Sequence, residues 1–423
     1  MSTDRSRSYE VYQRQTERDI PVVIPPGFSL APEFVADPYP TLARLRDNYP
    51  CFRDWYTNTW WVTRYDDVTS LIADDASFTS RPRRLAYGAD VAGQNLRDEP
   101  AVRNAFGHGM QHHAATVAEE SLHSFATSAG GDLIADYVGP FTEELLARVI
   151  GVPKAESSRF SALWRAVDEG VGWHAGRQDR GRQAMTEMGD MLAKLIAQKR
   201  LDPSDDVLSA LLIWQADASD VELADHAVAT LLEVDLRTLE GSLANLLCLL
   251  MIHPDQHALV REDDEMLIRA WQETMRHSPP ITEAHHYTTR EVERFGMLLP
   301  NGGLVVCSAA AANRDPQTFS DADSFDITRK DLAYREPRGQ FRIDGLPAGV
   351  APGLAPLSKL PARPADRPPS HYALTAEAVV AAAGVLIAEA PLFRLDTSWR
   401  PPQVTCRWPG DVRTCRQMVV RAG

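Results

Sequence analysis

The chain lacks the features that would assign it to a membrane, secreted or nucleic-acid-binding class. No run of its 423 residues approaches the 18 or more apolar residues of a membrane span. The first 16 residues are polar and mixed in charge, without the apolar core of a signal peptide. Basic residues are outnumbered 44 to 58 by acidic ones, and the net charge of −14 argues against a nucleic-acid partner. These absences predict a cytoplasmic protein without a membrane or nucleic-acid partner.

Cysteine is also scarce, and its spacing suits neither a zinc site nor a disulfide framework. The five cysteines are odd in number, and none forms a C-x-x-C pair. The sequence also has no Gly-rich phosphate loop, no G-x-S-x-G and no H-E-x-x-H. Phosphate-transfer, serine-hydrolase and zinc-hydrolase chemistry therefore find no support in the sequence.

What is present is a core-forming composition, with 44% hydrophobic and 24% charged residues. Residues 1–36 are punctuated by proline and are interpreted as an N-terminal arm, followed by a single domain over residues 37–423. Helical spacing dominates the middle of the chain, whereas aromatic and β-branched residues at 52–64 favour strands. Seven prolines within 347–369 argue against regular structure there. The pattern predicts a mostly α protein with a smaller β-rich part (α+β).

Three elements of the C-terminal half can be predicted individually. Residues 221–252 form one long apolar stretch that should cross the protein interior as a helix. A second helix is predicted over residues 258–277, where two prolines follow it. Residues 283–309 alternate in polarity around a Pro-Asn-Gly-Gly turn at 300–303, which predicts a pair of strands.

An ordered set of short motifs gives the strongest indication of a family. Glu273 and Arg276 are one helical turn apart, so their side chains leave the same face and can pair. Ala-Asn-Arg-Asp-Pro follows at 312–316, and then Phe-Asp-Ile-Thr-Arg at 325–329. In this order and spacing, the chain resembles the soluble bacterial cytochromes P450. The resemblance implies the cytochrome P450 fold and a buried structural ion network of Glu273, Arg276 and Arg329, together with Asn313 and Arg314 of the intervening motif.

The sequence departs from this family where the haem ligand should stand. The family next presents a Gly-rich loop with one cysteine, whose thiolate binds haem iron. Here residues 332–345 form a charged segment, and no cysteine lies between Cys307 and Cys406. The proline-rich segment 347–369 is predicted to occupy part of the space that the cysteine loop would fill. We expect no cofactor, and the alternative is a haem held by an unusual axial ligand such as Tyr334, His371 or Tyr372.

A second departure concerns the long central helix. By the resemblance, the oxygen-activation motif falls at residues 234–238, where the family prefers Ala/Gly-Gly-x-Asp/Glu-Thr. Thr238 is retained, but Asp235 replaces the glycine and Arg237 replaces the acid of the proton relay. Charges on an interior helix are costly unless they are paired. Either Asp235 and Arg237 perform new chemistry, or Arg237 reaches a surface and Asp235 pairs locally.

Histidines supply the remaining candidate site residues. By the resemblance, His286 stands where the family places an arginine that holds a haem propionate, on a strand lining the ligand cavity. His108 and His112 are spaced i, i+4 and could share a metal or a carboxylate, although no third ligand is evident. The alternative for His108 and His112 is a solvated, His-rich surface.

Three functions are compatible with these residues. The first is a haem-less homologue that binds a small, natural-product-like molecule and carries out cyclisation, isomerisation or elimination with Asp235, Arg237, Thr238 and His286. The second is an auxiliary protein, because some haem-less P450 homologues lack the cysteine and activate glycosyltransferases. The third is a monooxygenase with an unusual haem ligand. The first two need a small-molecule ligand and a protein partner, respectively.

Overall fold

The computed structural model describes residues 23–72, 74, 76–79, 99–126, 130–170, 175–233, 236–332, 371–389, 393–396 and 398–422. Its contacts divide the chain into two compact units. The first unit comprises Met1–Arg81, Ala244–Ala365 and Pro402–Arg416. The second unit comprises Pro82–Leu243, Asp366–Pro401 and Gln417–Gly423. The proposal of a single domain over residues 37–423 stays a prediction, and segment 347–369 lies outside the described residues.

Helices account for most of the described chain. They are α1 (Pro32–Ala36), α2 (Tyr39–Asn48), α3 (Tyr65–Ile72), α4 (Pro100–Ala126), α5 (Gly139–Ile150), α6 (Ser157–Glu169), α7 (Ala175–Leu201), α8 (Val207–Trp214), α9 (Asp220–Glu233), α10 (Leu236–Ile252), α11 (Pro254–Glu262), α12 (Glu265–His277), α13 (Ala309–Ala312) and α14 (His371–Glu389). The strands are β1 (Phe52–Asp54), β2 (Thr59–Val62), β3 (Phe78–Thr79), β4 (Gly130–Asp132), β5 (Glu283–Thr288), β6 (Val292–Arg294), β7 (Met297–Leu299), β8 (Leu304–Ser308), β9 (Phe393–Leu395), β10 (Val404–Thr405), β11 (Thr414–Cys415) and β12 (Val419–Ala422). The predicted α+β fold class is confirmed. Within the described ranges, no helix has the length and apolar character needed to cross a bilayer.

The first unit is built on a five-stranded sheet in the order β1-β2-β8-β5-β3. Strand β2 runs parallel to β8, with Trp60 opposite Val305, and the other pairings are antiparallel. Every residue of β2 is buried, as expected for a strand covered on both faces. Trp60 and Val305 belong to one hydrophobic cluster of this unit, with Phe319.

Residues 23–36, part of the segment interpreted as an arm, contribute to a core. Ile24, Phe28 and Phe34 are buried in a cluster that also contains Trp61. The ring centroids of Phe28 and Phe34 are 5.2 Å apart in a T-shaped arrangement, and Phe28 lies 4.9 Å from Trp61. Edge-to-face geometry of this kind adds to the energy of area burial. The aromatic side chains of this stretch form part of the interior, and the interpretation of residues 1–36 as an arm stays a prediction.

The second unit is predominantly helical, and its long helix α4 packs against α5 and α14. Helix α4 runs unbroken through Gly107 and Gly109, although glycine has a low helix propensity. The reason is close packing: a Cβ at Gly109 would lie 3.3 Å from both methyl carbons of Val149 on α5. A small three-stranded sheet, β4-β12-β9, completes the unit.

Two predicted elements are subdivided in the structure. The helix predicted over residues 258–277 is two helices, α11 and α12, and Asp263 between them accepts a hydrogen bond from the Glu265 N–H at 2.9 Å. That local bond competes with the helical pattern, as expected of aspartate. The predicted strand pair corresponds to β5 and β8, but a second hairpin, β6–β7, is inserted between them. Its turn contains Phe295 and Gly296, both with positive φ.

A buried asparagine joins three separate segments of the first unit. Asn245 on α10 donates hydrogen bonds to the carbonyl oxygens of Ser278 and Arg413, at 2.9 Å and 3.0 Å. Its Oδ1 accepts a hydrogen bond from the Cys415 N–H at 2.8 Å. The side chain is fully buried, so all three backbone groups would lose their partner in a dry interior without it.

We expect the substitution Asn245→Ala to lower the free energy of unfolding by about 2–4 kcal/mol, because it leaves buried donors and acceptors unsatisfied. Urea unfolding followed by circular dichroism measures the change. The matched control is Asn48→Ala, which removes one exposed bond to the Arg44 carbonyl and should cost less than about 0.5 kcal/mol. Equal effects of the two substitutions would contradict the three-segment role of Asn245.

Candidate functional site

The central helix places the altered oxygen-activation residues beside α6. Asp235 lies outside the described residues, whereas Arg237 and Thr238 are in the first turn of α10. The Arg237 Nε lies 3.4 Å from the Asp168 Oδ1, with side chains 31% and 16% exposed. One helical turn along α10, Glu240 faces Arg165 of α6 at 3.7 Å. Both pairs join the same two helices within the second unit.

This arrangement favours a structural role for Arg237. A guanidinium group stays protonated at ordinary pH and cannot relay a proton as a carboxylic acid does. The half-exposed side chain of Arg165 also pairs with Glu143. Burial alone would lower the pKa of Arg165. The carboxylates of Glu240 and Glu143 outweigh that effect, so the pKa of Arg165 is raised. The geometry therefore fits the interpretation in which Arg237 reaches a polar surface of its own unit. The catalytic assignment of Arg237 and Thr238 stays a prediction.

His286 lies on the central sheet of the first unit. It is half-buried on β5, opposite Val305 of β8. Its neighbour His285 points to the other face, is exposed and lies 3.7 Å from Glu283. The catalytic assignment of His286 also stays a prediction.

The ion network that holds the α12 region is built around Arg276. Its guanidinium makes two hydrogen bonds of 2.7 Å with the carboxylate of Glu273, and both side chains are fully buried. Its remaining donors reach the carbonyl oxygens of Asn313, Ala322 and Ser324 at 2.7–2.9 Å. The Arg329 Nε lies 3.9 Å from the same carboxylate. The structure therefore brings together the three residues that the sequence assigns to a structural network.

Asn313 and Arg314 extend this network at its edge. The Asn313 amide donates to the Met275 carbonyl at 3.3 Å. The Arg314 guanidinium stacks 3.4 Å from the ring of Tyr39 and donates to the His277 carbonyl oxygen at 2.8 Å. These contacts tie α12 and the loop after α13 to α2, and none of them points to a chemical step.

His108 and His112 lie on the exposed side of α4. Their rings stack with centroids 5.8 Å apart, and the His108 Nδ1 lies 2.8 Å from the Asp205 Oδ2. Both partners in that ion pair are more than half exposed. Among the described residues, no group of three or more His, Cys, Asp or Glu side chains could hold a metal ion. The geometry suits a solvated, His-rich surface.

The structure describes the surroundings of all five cysteines. Cys51 and Cys307 are buried in the hydrophobic cluster of the first unit, where burial raises the pKa of both thiols far above the usual range. Cys248 and Cys415 are also buried, with their thiols in mutual contact. The Cys406 thiol donates to the Asp411 carbonyl at 3.6 Å, and burial raises the pKa of Cys406 to about 11. Burial therefore disfavours the thiolate form, which is the form that binds iron, at Cys51, Cys307 and Cys406.

Comparison with known proteins shows the fold and indicates which family the chain resembles. A family model described as Cytochrome P450 matches residues 243–333. The chain is 27% identical over 332 residues to 6-deoxyerythronolide B hydroxylase of Saccharopolyspora erythraea, covering 70% of this chain and 80% of the relative. It is 31% identical over 285 residues to a protein named AknT of Streptomyces galilaeus, and the match covers 66% of this chain and 60% of that protein. A solved structure of P450BioI in complex with a fatty-acid-loaded acyl carrier protein has a TM-score of 0.72 at 19% identity, covering 92% of this chain and all of that one.

The fold is that of a cytochrome P450. The family model and the curated relatives support a resemblance to the cytochrome P450 superfamily, and the solved structures support the fold. The curated relatives include a hydroxylase and an epoxidase, 6-deoxyerythronolide B hydroxylase and Cyclomarin C epoxidase CymV. P450 relatives normally bind haem, so the expectation of no cofactor rests on the residues of this chain alone.

Sequence reasoning missed several residues that organise this P450-fold chain. Asp168 and Arg165 could not be paired with α10 from the sequence, because their partners are about 70 residues away on another helix. Asn245 was also missed, because its three partners lie on separate segments of the first unit. The apolar residues around these positions do follow helical spacing. The pattern therefore indicated which helix faces are buried, but not which residues of other segments they contact.

We expect Glu273→Gln to lower the free energy of unfolding by about 3–5 kcal/mol, since it leaves the Arg276 guanidinium buried without its counter-charge. Chemical unfolding gives the measurement. Asp179 and Arg182 form a pair with the same i, i+3 spacing on an exposed face of α7, so Asp179→Asn is the matched control. That control should change stability by no more than about 0.5 kcal/mol. A small effect of Glu273→Gln would contradict the structural importance of the buried pair.

The imidazole of His277 gives a pH-dependent stability. Burial, then the guanidinium groups of Arg314 and Arg276, lower the pKa of His277 well below 6.5. The unfolded chain therefore binds a proton that the folded chain does not, and stability falls as pH drops from about 6.5 toward the folded pKa. We expect the difference between the wild type and His277→Gln to change by up to about 1.4 kcal/mol per pH unit in that window. A difference that stays constant with pH would contradict this assignment.

Proposed function

We propose that the chain is an auxiliary protein of natural-product biosynthesis, which uses the P450 fold to bind and activate a partner glycosyltransferase and forms no haem–thiolate centre. The observation that carries the proposal is the missing ligand: no cysteine lies between Cys307 and Cys406, where the family supplies its thiolate. Four of the five cysteines are buried, and the thiol of the fifth, Cys406, donates a hydrogen bond to the backbone carbonyl of Asp411.

The central helix supports the same proposal. Oxygen activation in the family needs a small residue and an acid before the threonine, and this chain has Asp235 and Arg237 at those positions. Arg237 forms an ion pair with Asp168, and Arg165 forms a neighbouring ion pair with Glu240. Two ion pairs between α6 and α10 stabilise helix packing, and they supply no proton to a bound substrate.

Protein binding is compatible with this fold and with this surface. The solved complex of P450BioI shows that a P450 fold can bind an acyl carrier protein. Large apolar side chains stand exposed on both units, including Tyr56 at 74%, Ile213 at 78% and Leu201 at 88%. Exposed apolar groups of this size often mark interaction surfaces. An auxiliary role requires such a surface, whereas a self-contained enzyme does not.

Non-oxidative chemistry on a small molecule is the second candidate. The observation that favours it is His286, a half-buried imidazole on a strand that lines the ligand cavity in the family. An imidazole there could move a proton between two positions of a bound ligand. In this case His286 would act without a partner protein, and activity would be seen with the purified chain alone.

Two measurements test the proposal. We expect the protein purified from haem-supplemented cells to show no Soret band, and its dithionite-reduced, CO-treated spectrum to show no new peak. The control is 6-deoxyerythronolide B hydroxylase purified in the same way. We also expect the purified chain to raise the rate of a deoxysugar glycosyltransferase, with no effect from heat-denatured chain. A Soret band would contradict the proposal and favour an oxidative function. An unchanged rate of sugar transfer would favour non-oxidative chemistry on a small molecule.

A further inference from the structure

Two cysteines of the first unit lie side by side where β11 crosses α10. The Asn245 side chain accepts a hydrogen bond from the Cys415 N–H at 2.8 Å and donates one to the Arg413 carbonyl oxygen at 3.0 Å. These two bonds hold the end of β11 against one face of α10. Cys248 follows Asn245 on that helix at the i, i+3 spacing, where side chains leave the same face about 5–6 Å apart. The backbone geometry therefore brings Cys248 beside Cys415.

The two thiols are in contact in an interior that excludes water. The Cys248 thiol is hydrogen-bonded to the Cys415 thiol, and both residues are fully buried. That hydrogen bond, and then burial, raise the pKa of Cys248 far above its usual range. A disulfide needs Cβ atoms about 3.5–4.5 Å apart, so two thiols that already touch need little backbone movement to become bonded.

A second pair of buried cysteines in the same unit provides a contrast. Cys307 of β8 is opposite Val62 of β2, and the register of β1 with β2, continued by one residue, places Cys51 on the other side of Val62. Neighbouring strands lie about 4.7–4.9 Å apart, so β2 separates these two cysteines by about twice that spacing. The Cα atoms of a disulfide are at most about 6.8 Å apart. Cys51 and Cys307 are therefore too distant to bond, although both are buried.

We propose that Cys248 and Cys415 form a redox site, which hydrogen peroxide converts to a disulfide that joins α10 to β11. In the first step one thiol sulfur gives two electrons to the peroxide, whose O–O bond breaks, and a sulfenic acid and one water molecule form. In the second step the other thiol attacks the sulfenic sulfur, the S–S bond forms, and the S–O bond breaks to release a second water molecule. This inference does not depend on the proposed function.

The hairpin of β10 and β11 provides a route by which the oxidant reaches the pair. Each strand contributes only two residues to the ladder, Val404–Thr405 and Thr414–Cys415. Elements held by few hydrogen bonds open at a free energy well below that of global unfolding. While the hairpin is closed, burial keeps the reactive thiolate scarce. We therefore expect oxidation to be slow and limited by the opening of this hairpin.

The cross-link restrains one wall of a surface pocket in the first unit. Cys406, Trp408 and Asp411, in the loop between β10 and β11, line this pocket together with Phe34 and Leu42. The disulfide ties the base of that loop to α10, and reduction releases it. The redox state of the pair therefore sets how far this wall of the pocket can move.

The first experiment counts the thiols and locates the bond. We expect hydrogen peroxide to leave three of the five thiols of the folded chain, because the disulfide consumes two, and to lower the intact mass by about 2 Da. Proteolysis without reduction should then yield one cross-linked peptide that contains Cys248 and Cys415. Cys248→Ala and Cys415→Ala should each keep all of their thiols. The matched control Cys51→Ala, which removes another fully buried cysteine of this unit, should still lose two.

The same treatment in concentrated urea is the control for selective pairing. The unfolded chain should form several different cross-links, because the fold no longer selects which thiols meet. This control also shows that the peroxide is active. A folded wild type that keeps all five thiols under those conditions would overturn the proposal. A cross-link formed through Cys406, or between two molecules, would overturn it as well.

Hydrogen exchange tests the effect of the bond on the hairpin. We expect amide exchange in peptides covering residues 404–415 to slow at least several-fold when the wild type is oxidised, because the cross-link opposes local opening. Cys248→Ala, treated with peroxide in the same way, should show no change. Equal exchange rates in the oxidised and the reduced wild type would contradict the restraint on the pocket wall.

Discussion

The buried pair of Glu273 and Arg276 is the interaction on which the first unit depends. One guanidinium satisfies a carboxylate and three backbone carbonyls contributed by the loop of residues 313–324. The same carboxylate accepts the Asp326 N–H at 3.0 Å and faces Arg329. A loop without regular structure cannot satisfy its own buried carbonyl groups, so an arginine supplies the missing donors. The pair therefore forms hydrogen bonds with backbone groups between Asn313 and Asp326 that lie outside helices and strands.

The network lies on α12 and on the loop after α13, and it does not include the position at which the family supplies its haem ligand. Loss of a cysteine elsewhere leaves the carboxylate, the guanidinium groups and the carbonyls unchanged. A chain of this fold can therefore lose the residues of oxygen activation and keep its stability. The pair of Arg237 and Asp168 shows a related change, since an arginine now stands where the family places the acid of its proton relay.

The sequence predicted the parts of this molecule that depend on local spacing. The i, i+3 relation of Glu273 and Arg276 and the helical periodicity of α10 can be found along the chain, and both were identified. The break at Asp263 was missed, because a single side-chain bond decides it and the apolar pattern continues through it. The partner of Arg237 and the three contacts of Asn245 were also missed. Those contacts depend on how helices pack, and spacing along the chain carries no information about them.

The parallel pairing of β2 with β8 has a consequence for synthesis on the ribosome. Strand β2 ends at Val62, and its partner begins at Leu304, so the sheet cannot close until some 240 further residues have been made. At ordinary elongation rates of 5–20 residues per second, this delay is roughly 12–50 s. During that time β2 can pair only with β1, and the strand edge that β8 will cover stays unpaired beside Trp60 and Trp61. The nascent chain therefore exposes an unpaired strand edge for tens of seconds, which makes it a natural client for chaperones.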